Sequence, residues 1–127
     1  MARGLVFALV DAINRRDWDS AIDAFAADFE YDLTRTDSPL RGIYGRNQMR
    51  RVMEEFIGSW ESVRYEPNEF VDGDGCVVVP FTTRFRGRDG IEMQSEAVWL
   101  VALDDGAITR ITLYQRLDEA LADAGIE

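Results

Sequence analysis

The fold of this chain is decided by residues 91–126, IEMQSEAVWLVALDDGAITRITLYQRLDEALADAGI. Apolar and polar residues alternate from Ile91 onwards, which predicts a strand, and Asp104-Asp105-Gly106 favours a tight turn. The chain then reverses into a second strand, Ile108 to Gln115, and a short helix follows. The stretch therefore predicts an antiparallel hairpin with a helix after it.

The first strand of this hairpin is apolar on both faces between Ala97 and Leu103. Such a strand is covered twice, because both rows of side chains are driven out of water. The core would cover the face that carries Trp99. We expect a partner subunit to cover the opposite face, which predicts a homodimer through the sheet face.

The composition excludes several kinds of chemistry and of partner. All 14 positive charges are arginine, and lysine and histidine are both absent, so Schiff bases, imidazole bases and histidine-ligated metals are excluded. A catalyst would have to be a carboxylate, hydroxyl, phenol or thiol, and we expect no metal and no cofactor. The net charge of −10 opposes binding to nucleic acid and to anionic membranes.

Length and cysteine content predict one domain in the cytoplasm. The 127 residues, of which 46% are apolar, suit a single domain spanning residues 1–127. Cys76 has no cysteine to pair with and no histidine to activate it, so we expect a small buried side chain and not a nucleophile. The sequence shows neither a charged-then-apolar leader nor an apolar span of about 20 residues, which indicates a cytoplasmic protein.

Helical signals occupy the first half of the chain. Apolar residues recur at helical spacing near the N-terminus, and Asp17 is placed to cap a second helix, so we expect a helical hairpin. A third helix is predicted from about Arg46 to Trp60, because its apolar residues share one face.

Strand signals follow. A short strand is predicted from Phe29 to Arg35 and a loop from Thr36 to Gly45. Longer strands from Val63 to Val71 and from Cys76 to Arg86 precede the hairpin, and each ends in a glycine-containing turn. Helices followed by antiparallel strands predict an α+β fold: three N-terminal helices in the concavity of a strongly curved, mainly antiparallel sheet, with a short C-terminal helix.

This order of elements resembles the nuclear transport factor two-like superfamily, which includes the SnoaL-like polyketide cyclases and ketosteroid isomerase. Three stretches carry the resemblance: FAADFEYDL at 25–33, GIYGRNQMRRVMEEF at 42–56 and DDGAITRITLYQRLDEALADAGI at 104–126. The resemblance implies a cone-shaped, cystatin-like domain with an apolar pocket between sheet and helices, paired as a homodimer through the sheet.

The catalytic residues of ketosteroid isomerase are not matched. The resemblance implies a tyrosine, a carboxylate base and an oxyanion-binding aspartate, and these positions fall on Leu9, Leu33 and Trp99. A register shift of one residue would bring Asp32 to the position of the base, although Asp32 otherwise points away from Tyr31 and Leu33. Asp32 is therefore the candidate base, and Tyr31 is the candidate donor to an enolate.

The predicted ligand pocket is mainly apolar and aromatic. Alternation and the resemblance together assign to it Leu9, Tyr31, Leu33, Phe56, Trp60, Phe81, Thr83, Phe85, Ala97, Trp99 and Ile111. Side chains at such spacing also form the core of most domains. Only the polar tips, such as the Tyr31 hydroxyl and the Trp99 indole N–H, require a partner or a ligand when buried.

Two functions remain open from the sequence. The first is a cyclase or isomerase that acts on a hydrophobic polycyclic or polyketide-like carbonyl compound by proton transfer through a carboxylate. The second is a non-catalytic module of the same fold that binds a hydrophobic ligand or dimerises. The position of Asp32, inside or outside the pocket, distinguishes them, because an apolar pocket would raise the pKa of a base.

Overall fold

The order of the elements confirms the predicted α+β fold. The structure, a computed structural model, describes residues 2–37 and 41–126. Within them the elements are α1 (Ala2–Asn14), α2 (Trp18–Asp23), β1 (Phe25–Asp32), β2 (Ile43–Gly45), α3 (Arg46–Gly58), β3 (Ser62–Pro67), β4 (Val71–Gly73), β5 (Cys76–Arg86), β6 (Glu92–Asp104), β7 (Ala107–Tyr114) and α4 (Leu117–Asp123).

The strands form one curved sheet that does not close on itself. Their order is β2-β1-β7-β6-β5-β3, and β4 pairs with β5 beyond the end of β3. Neighbours run antiparallel, except that β1 lies parallel to β7. The predicted hairpin of residues 91–115 is β6 and β7, and β5 has the predicted bounds of Cys76 and Arg86.

Two strands differ from their predicted bounds at the N-terminal side of the sheet. β1 begins at Phe25 and not at Phe29, because Phe25 already pairs with Ile108. It ends at Asp32, whose carboxylate accepts hydrogen bonds from the N–H and hydroxyl of Thr34 at 2.8 and 2.6 Å and so bends the chain. The predicted loop contains β2 at its end, while Ser38-Pro39 in that loop lies outside the described residues.

Two further predictions were too long. The strand predicted from Val63 to Val71 is divided into β3 and β4 by residues 68–70, of which Asn68 still donates its N–H to the Pro80 carbonyl of β5 at 2.8 Å. α3 ends at Gly58, so Trp60 lies in the segment that follows the helix.

The core lies between the inner face of the sheet and the three N-terminal helices. Its fully buried side chains come from α1 and from the inward rows of the strands: Val6, Leu9, Ile13, Phe29, Val77, Val79, Trp99, Val101, Ile108 and Ile111. Alternation places most of them, because every second side chain of a strand points to the same face. Ile108 and Ile111 are three residues apart, and both are buried because the pairing of β6 with β7 shifts register between them. As predicted, Asp17 caps α2, accepting a hydrogen bond from the Ser20 N–H at 3.3 Å.

α4 packs over the part of the outer face around Val98, which a helix of the same chain therefore covers, while a partner subunit on the rest of this face stays a prediction. Val98 is 4% exposed and packs with Val78, Tyr114 and Ala120 in a second apolar cluster. The Tyr114 hydroxyl donates to Asp123 of α4 at 2.6 Å, which fixes the helix on the sheet. The apolar residues on this face predicted that it is covered, and α4 covers the part around Val98.

Among the described residues, no helix is both long enough and apolar enough to cross a membrane.

Candidate functional site

A cavity of about 170 Å³ lies between α3 and the inner face of the sheet. Its walls are mainly apolar and come from five strands, from α3 and from Leu33 just after β1: Tyr31, Leu33, Val52, Met53, Phe56, Tyr65, Phe81, Thr83, Phe85, Ser95, Ala97, Trp99 and Leu113. We refer to this space as the inner cavity.

The register of β5 and β6 places one wall of the inner cavity. Phe81 lies opposite Ala97, and Thr83 lies opposite Ser95. Directly paired residues of antiparallel strands point to the same face, so both pairs face α3. The facing wall is a stripe at helical spacing on α3, formed by Val52, Met53 and Phe56.

Three aromatic residues close the deep end of the inner cavity. Tyr31, Tyr65 and Trp99 are 4%, 7% and 2% exposed. The rings of Tyr65 and Trp99 are 6.5 Å apart at 28°, and Phe81 packs against Trp99 at 5.1 Å. Asn14 at the end of α1 fixes the backbone of Tyr65, donating to its carbonyl and accepting from its N–H, both at 2.8 Å.

The indole N–H of Trp99 is buried without a hydrogen-bond partner among the described residues. A buried donor left unsatisfied costs about 1–3 kcal/mol, so most such groups have a partner. Trp99 lines the inner cavity, and an acceptor placed there would satisfy its N–H. The deep end of the inner cavity is therefore suited to bind an oxygen atom of a ligand.

The two buried phenols are neutral donors at physiological pH. Burial raises the pKa of Tyr31 to about 12, and the Trp99 N–H, which lies near this phenol without meeting the geometry of a hydrogen bond, acts to lower it. Burial and the neighbouring Tyr31 phenol also raise the pKa of Tyr65. Both groups therefore keep their protons and can donate them in hydrogen bonds to a ligand oxygen.

The pKa of Tyr31 predicts a loss of stability at alkaline pH. A phenol whose folded-state pKa is raised stabilises the fold below its unfolded pKa of about 10, and this contribution is lost as the pH rises further. For Tyr31 the loss falls between pH 10 and about 12. Urea unfolding over this range should show a smaller decline for Tyr31→Phe than for the unmodified chain, and an equal decline would contradict a buried neutral phenol.

Asp32, the candidate base, lies on the opposite face of β1 from Tyr31. Its carboxylate accepts hydrogen bonds from Arg110 at 2.5 Å and from Thr34, and it is absent from the described lining of the inner cavity. Burial acts to raise the pKa of Asp32, but the hydrogen bonds from Thr34 and the charge of Arg110 outweigh it and hold this pKa below its usual value. Asp32 is therefore an ionised, paired carboxylate.

The structure brings together eight of the eleven residues assigned to the pocket: Tyr31, Leu33, Phe56, Phe81, Thr83, Phe85, Ala97 and Trp99. Leu9 and Ile111 are buried in the core, at 1% and 0% exposure, outside the described lining. Trp60 lies beside the inner cavity and stacks on Phe85 at 4.9 Å.

Sequence reasoning missed five lining residues: Val52, Met53, Tyr65, Ser95 and Leu113. Val52 and Met53 belong to the apolar face of α3, and helical spacing could have found Met53, because it lies three residues before Phe56 and points the same way. Ser95 shares the parity of Ala97 and Trp99, and Tyr65 shares that of Val63, so alternation could have found both.

Metal ligands and the Cys76 thiol are the other groups that could carry chemistry. Residues 2–37 and 41–126 contain no group of three histidine, cysteine, aspartate or glutamate side chains that could hold a metal ion. Cys76 is half-buried at the start of β5, and burial and the nearby Asp74 charge raise the pKa of its thiol. The thiol is therefore protonated and a weak nucleophile.

Comparison with known proteins confirms the resemblance drawn from the sequence. Residues 6–111 match the family model of the SnoaL-like domain. A putative polyketide cyclase from Xanthomonas campestris pv. campestris is 26% identical, with a TM-score of 0.71 over 97% of this chain and 96% of that one.

Two more solved structures share the fold at lower identity. TerC, crystallised with polyporic acid, is 18% identical, with a TM-score of 0.79 over 97% of this chain and 96% of that one. An NTF2-like protein of unknown function from Burkholderia pseudomallei is 19% identical, with a TM-score of 0.78 over the same shares of the two chains. A search of curated proteins gives no match.

Proposed function

Because the chain belongs to the family of SnoaL-like domains, we propose that its inner cavity binds a hydrophobic carbonyl compound of the polycyclic or polyketide type. One observation carries the proposal: an apolar cavity ends at a buried indole N–H that has no partner among the described residues. Buried N–H donors are normally paired, and a ligand oxygen in the inner cavity would pair this one.

The donors at the deep end define the polar part of the ligand. The Trp99 N–H can only donate, and the protonated phenols of Tyr31 and Tyr65 can donate as well. None of the described lining residues is charged. A carbonyl, enol or quinone oxygen fits such a site, because it accepts several hydrogen bonds without bringing a full charge into an apolar cavity.

The walls define the rest of the ligand. Phe81, Phe85 and Trp99 present aromatic faces and edges to the inner cavity. Flat, apolar groups gain most from such walls, because aromatic pairs stack in addition to burying area. The relatives agree with this chemistry: one was crystallised with polyporic acid, and another is described as a putative polyketide cyclase.

A catalytic form of the proposal gives Tyr31 the role of donor to an enolate and Asp32 the role of base. The observed contacts support binding more than proton transfer. Asp32 faces away from the inner cavity, its pKa is lowered, and a base must lie within hydrogen-bond reach of the proton that it removes. A cyclase or isomerase of this kind would have to turn Asp32 inward and break its ion pair with Arg110.

Asp32→Asn separates the two forms of the proposal, because turnover of a carbonyl substrate should collapse only if Asp32 is a base. If Asp32 only fixes the end of β1, ketone affinity should stay within about twofold, and the free energy of unfolding should fall by about 1–2 kcal/mol. The folded pKa of Asp32 is lowered, so its contribution is present above the unfolded pKa of about 4 and disappears as the pH falls. Thr34→Ala is the matched control, since it weakens the same turn and keeps the carboxylate.

The binding proposal itself is tested by titrating the protein with acetophenone and 2-acetylnaphthalene. Binding should quench indole fluorescence and raise the melting temperature, because the ketones bind only the folded state. Trp99→Phe should lose most of the quench, which assigns the signal to Trp99 and not to Trp18 or Trp60. No quench and no thermal shift at millimolar ketone would refute the proposal.

A homodimer through the sheet face belongs to the same proposal, as does the cytoplasmic location. Since α4 covers Val98, the surface available to a partner moves to the open ends of β5 and β6. Arg84 and Arg86 pair there with Glu66 and Glu61, so this part of the outer face is charged. The contact would therefore be polar, and its strength would fall as salt is added.

A further inference from the structure

The inner cavity is too small to enclose the whole of a polycyclic ligand. Its volume is about 170 Å³. An engineered cavity of about 150 Å³ in another protein holds one benzene molecule, so this cavity holds about one ring with a small substituent. If the proposed function is correct, the remainder of a larger ligand has to leave the inner cavity through its mouth.

The apolar row of β6 continues past that mouth. Met93, Ala97 and Trp99 share the inner face of β6, with Ser95 between them, and Ile91 just before the strand lines the same groove as Met93. Exposure rises along this row from 2% at Trp99 to 49% at Met93 and 60% at Ile91. α3 ends at Gly58 and leaves the last part of the row uncovered.

The uncovered end of the row forms one wall of a groove of about 460 Å³. The groove is lined by the turn between β5 and β6 and by the segment after α3: Ser59, Trp60, Gly87, Arg88, Asp89, Ile91 and Met93. It adjoins the inner cavity through Phe85, which lines that cavity, lies opposite Met93 in the sheet and stacks on Trp60 at 4.9 Å.

Contacts between the β5–β6 turn and the segment after α3 hold the walls of the groove in place. Arg88 donates to the Gly58 carbonyl at 2.9 Å, and the Glu61 N–H donates to the Arg86 carbonyl at 2.8 Å. Arg86 also pairs with Glu61 at 3.1 Å. These contacts hold the tip of the β5–β6 hairpin against the end of α3, so the groove keeps its position relative to the mouth of the inner cavity.

We propose that this groove is an outer subsite, which binds the apolar extension of a ligand whose carbonyl-bearing ring occupies the inner cavity. The inference rests on the proposed function and adds that the ligand is long enough to extend from the inner cavity into the groove. The deep donors fix the oxygen end, so the extension lies opposite the oxygen on the ring. Flat or linear apolar groups in the para position would reach Met93 and Trp60.

The test uses acetophenone and its 4-ethyl, 4-butyl and 4-hexyl derivatives as probes. The affinity of the unmodified chain should rise about two- to fourfold per methylene until the groove is filled. The double variant Ile91→Ser, Met93→Ser should bind acetophenone unchanged and lose most of this dependence on chain length. Phe7→Ser is the matched control, because Phe7 is 62% exposed on α1 and distant in sequence from the groove.

Each contrary outcome has its own meaning. If the dependence on chain length persists in the double variant, the outer subsite is wrong and the inner-cavity proposal stands. If none of the four ketones binds, both proposals fail. If light scattering shows a dimer that the double variant converts to a monomer, a second copy of the chain covers the groove, and the outer subsite is again wrong.

Discussion

Replacing Trp99 by alanine is expected to abolish ketone binding and to lower the free energy of unfolding by about 3–5 kcal/mol. Trp99 is 2% exposed and packs against Phe81 and Tyr65, so its removal leaves a void in the core as well as in the site. Calorimetric titration measures the loss of binding, and urea unfolding measures the loss of stability. A loss of less than about 1 kcal/mol would contradict the buried position of this side chain.

Trp99→Phe separates the indole N–H from the ring. Phenylalanine keeps much of the aromatic surface and removes the unsatisfied donor, so the cost in stability should be well below that of Trp99→Ala. Ketone affinity should fall about two- to tenfold, the size of one net hydrogen bond of about 0.5–1.5 kcal/mol. Unchanged affinity would mean that the N–H does not contact the ligand oxygen.

Ala97→Leu is expected to eliminate ketone binding while the protein stays folded. Ala97 lies opposite Phe81 and faces the inner cavity, so a larger side chain there occupies the space for the ring. Filling an apolar void commonly stabilises a protein by about 0.5–2 kcal/mol, and we expect the melting temperature to stay the same or to rise.

Ala122→Leu is the control for this variant, because Ala122 is exposed on α4, away from the described lining of the inner cavity. It should leave affinity and melting temperature nearly unchanged. If Ala97→Leu still binds acetophenone with the original affinity, the ligand does not occupy the inner cavity.

The strands that could be predicted most closely are those with strong alternation between two turns. β5 has its predicted bounds because Val77, Val79 and Phe81 alternate along it and glycine-containing turns limit it. The edges of the sheet were harder to predict. β2 is three residues long, and pairing with β1 stabilises it more than its own sequence does.

The cover of the outer face shows a limit of pattern reasoning. Alternation correctly indicated that Val98 is buried, but a helix and a partner subunit satisfy the same pattern. The choice depended on where α4 packs, and the contact between Tyr114 and Asp123 that fixes it joins side chains on two elements. Local propensity contains little information about such contacts.

The candidate site was likewise predicted only in part. Strand parity placed Phe81, Ala97 and Trp99 on one wall, because register determines direction in a sheet. How far the inner cavity extends into the core could not be predicted. Leu9 and Ile111 point inward as expected, but they are packed in the core beyond the cavity. Cavity boundaries depend on how closely helices approach a curved sheet, which periodicity does not specify.

The central claim is that the Trp99 N–H receives the oxygen of a ligand in the inner cavity. A crystal structure of the protein with 4-butylacetophenone tests it most directly. We predict the carbonyl oxygen at hydrogen-bond distance from Trp99 Nε1, about 2.7–3.2 Å, with the ring beside Phe81 and the butyl group directed to the mouth. A carbonyl directed to the mouth, or an inner cavity left empty at saturating ketone, would contradict the account.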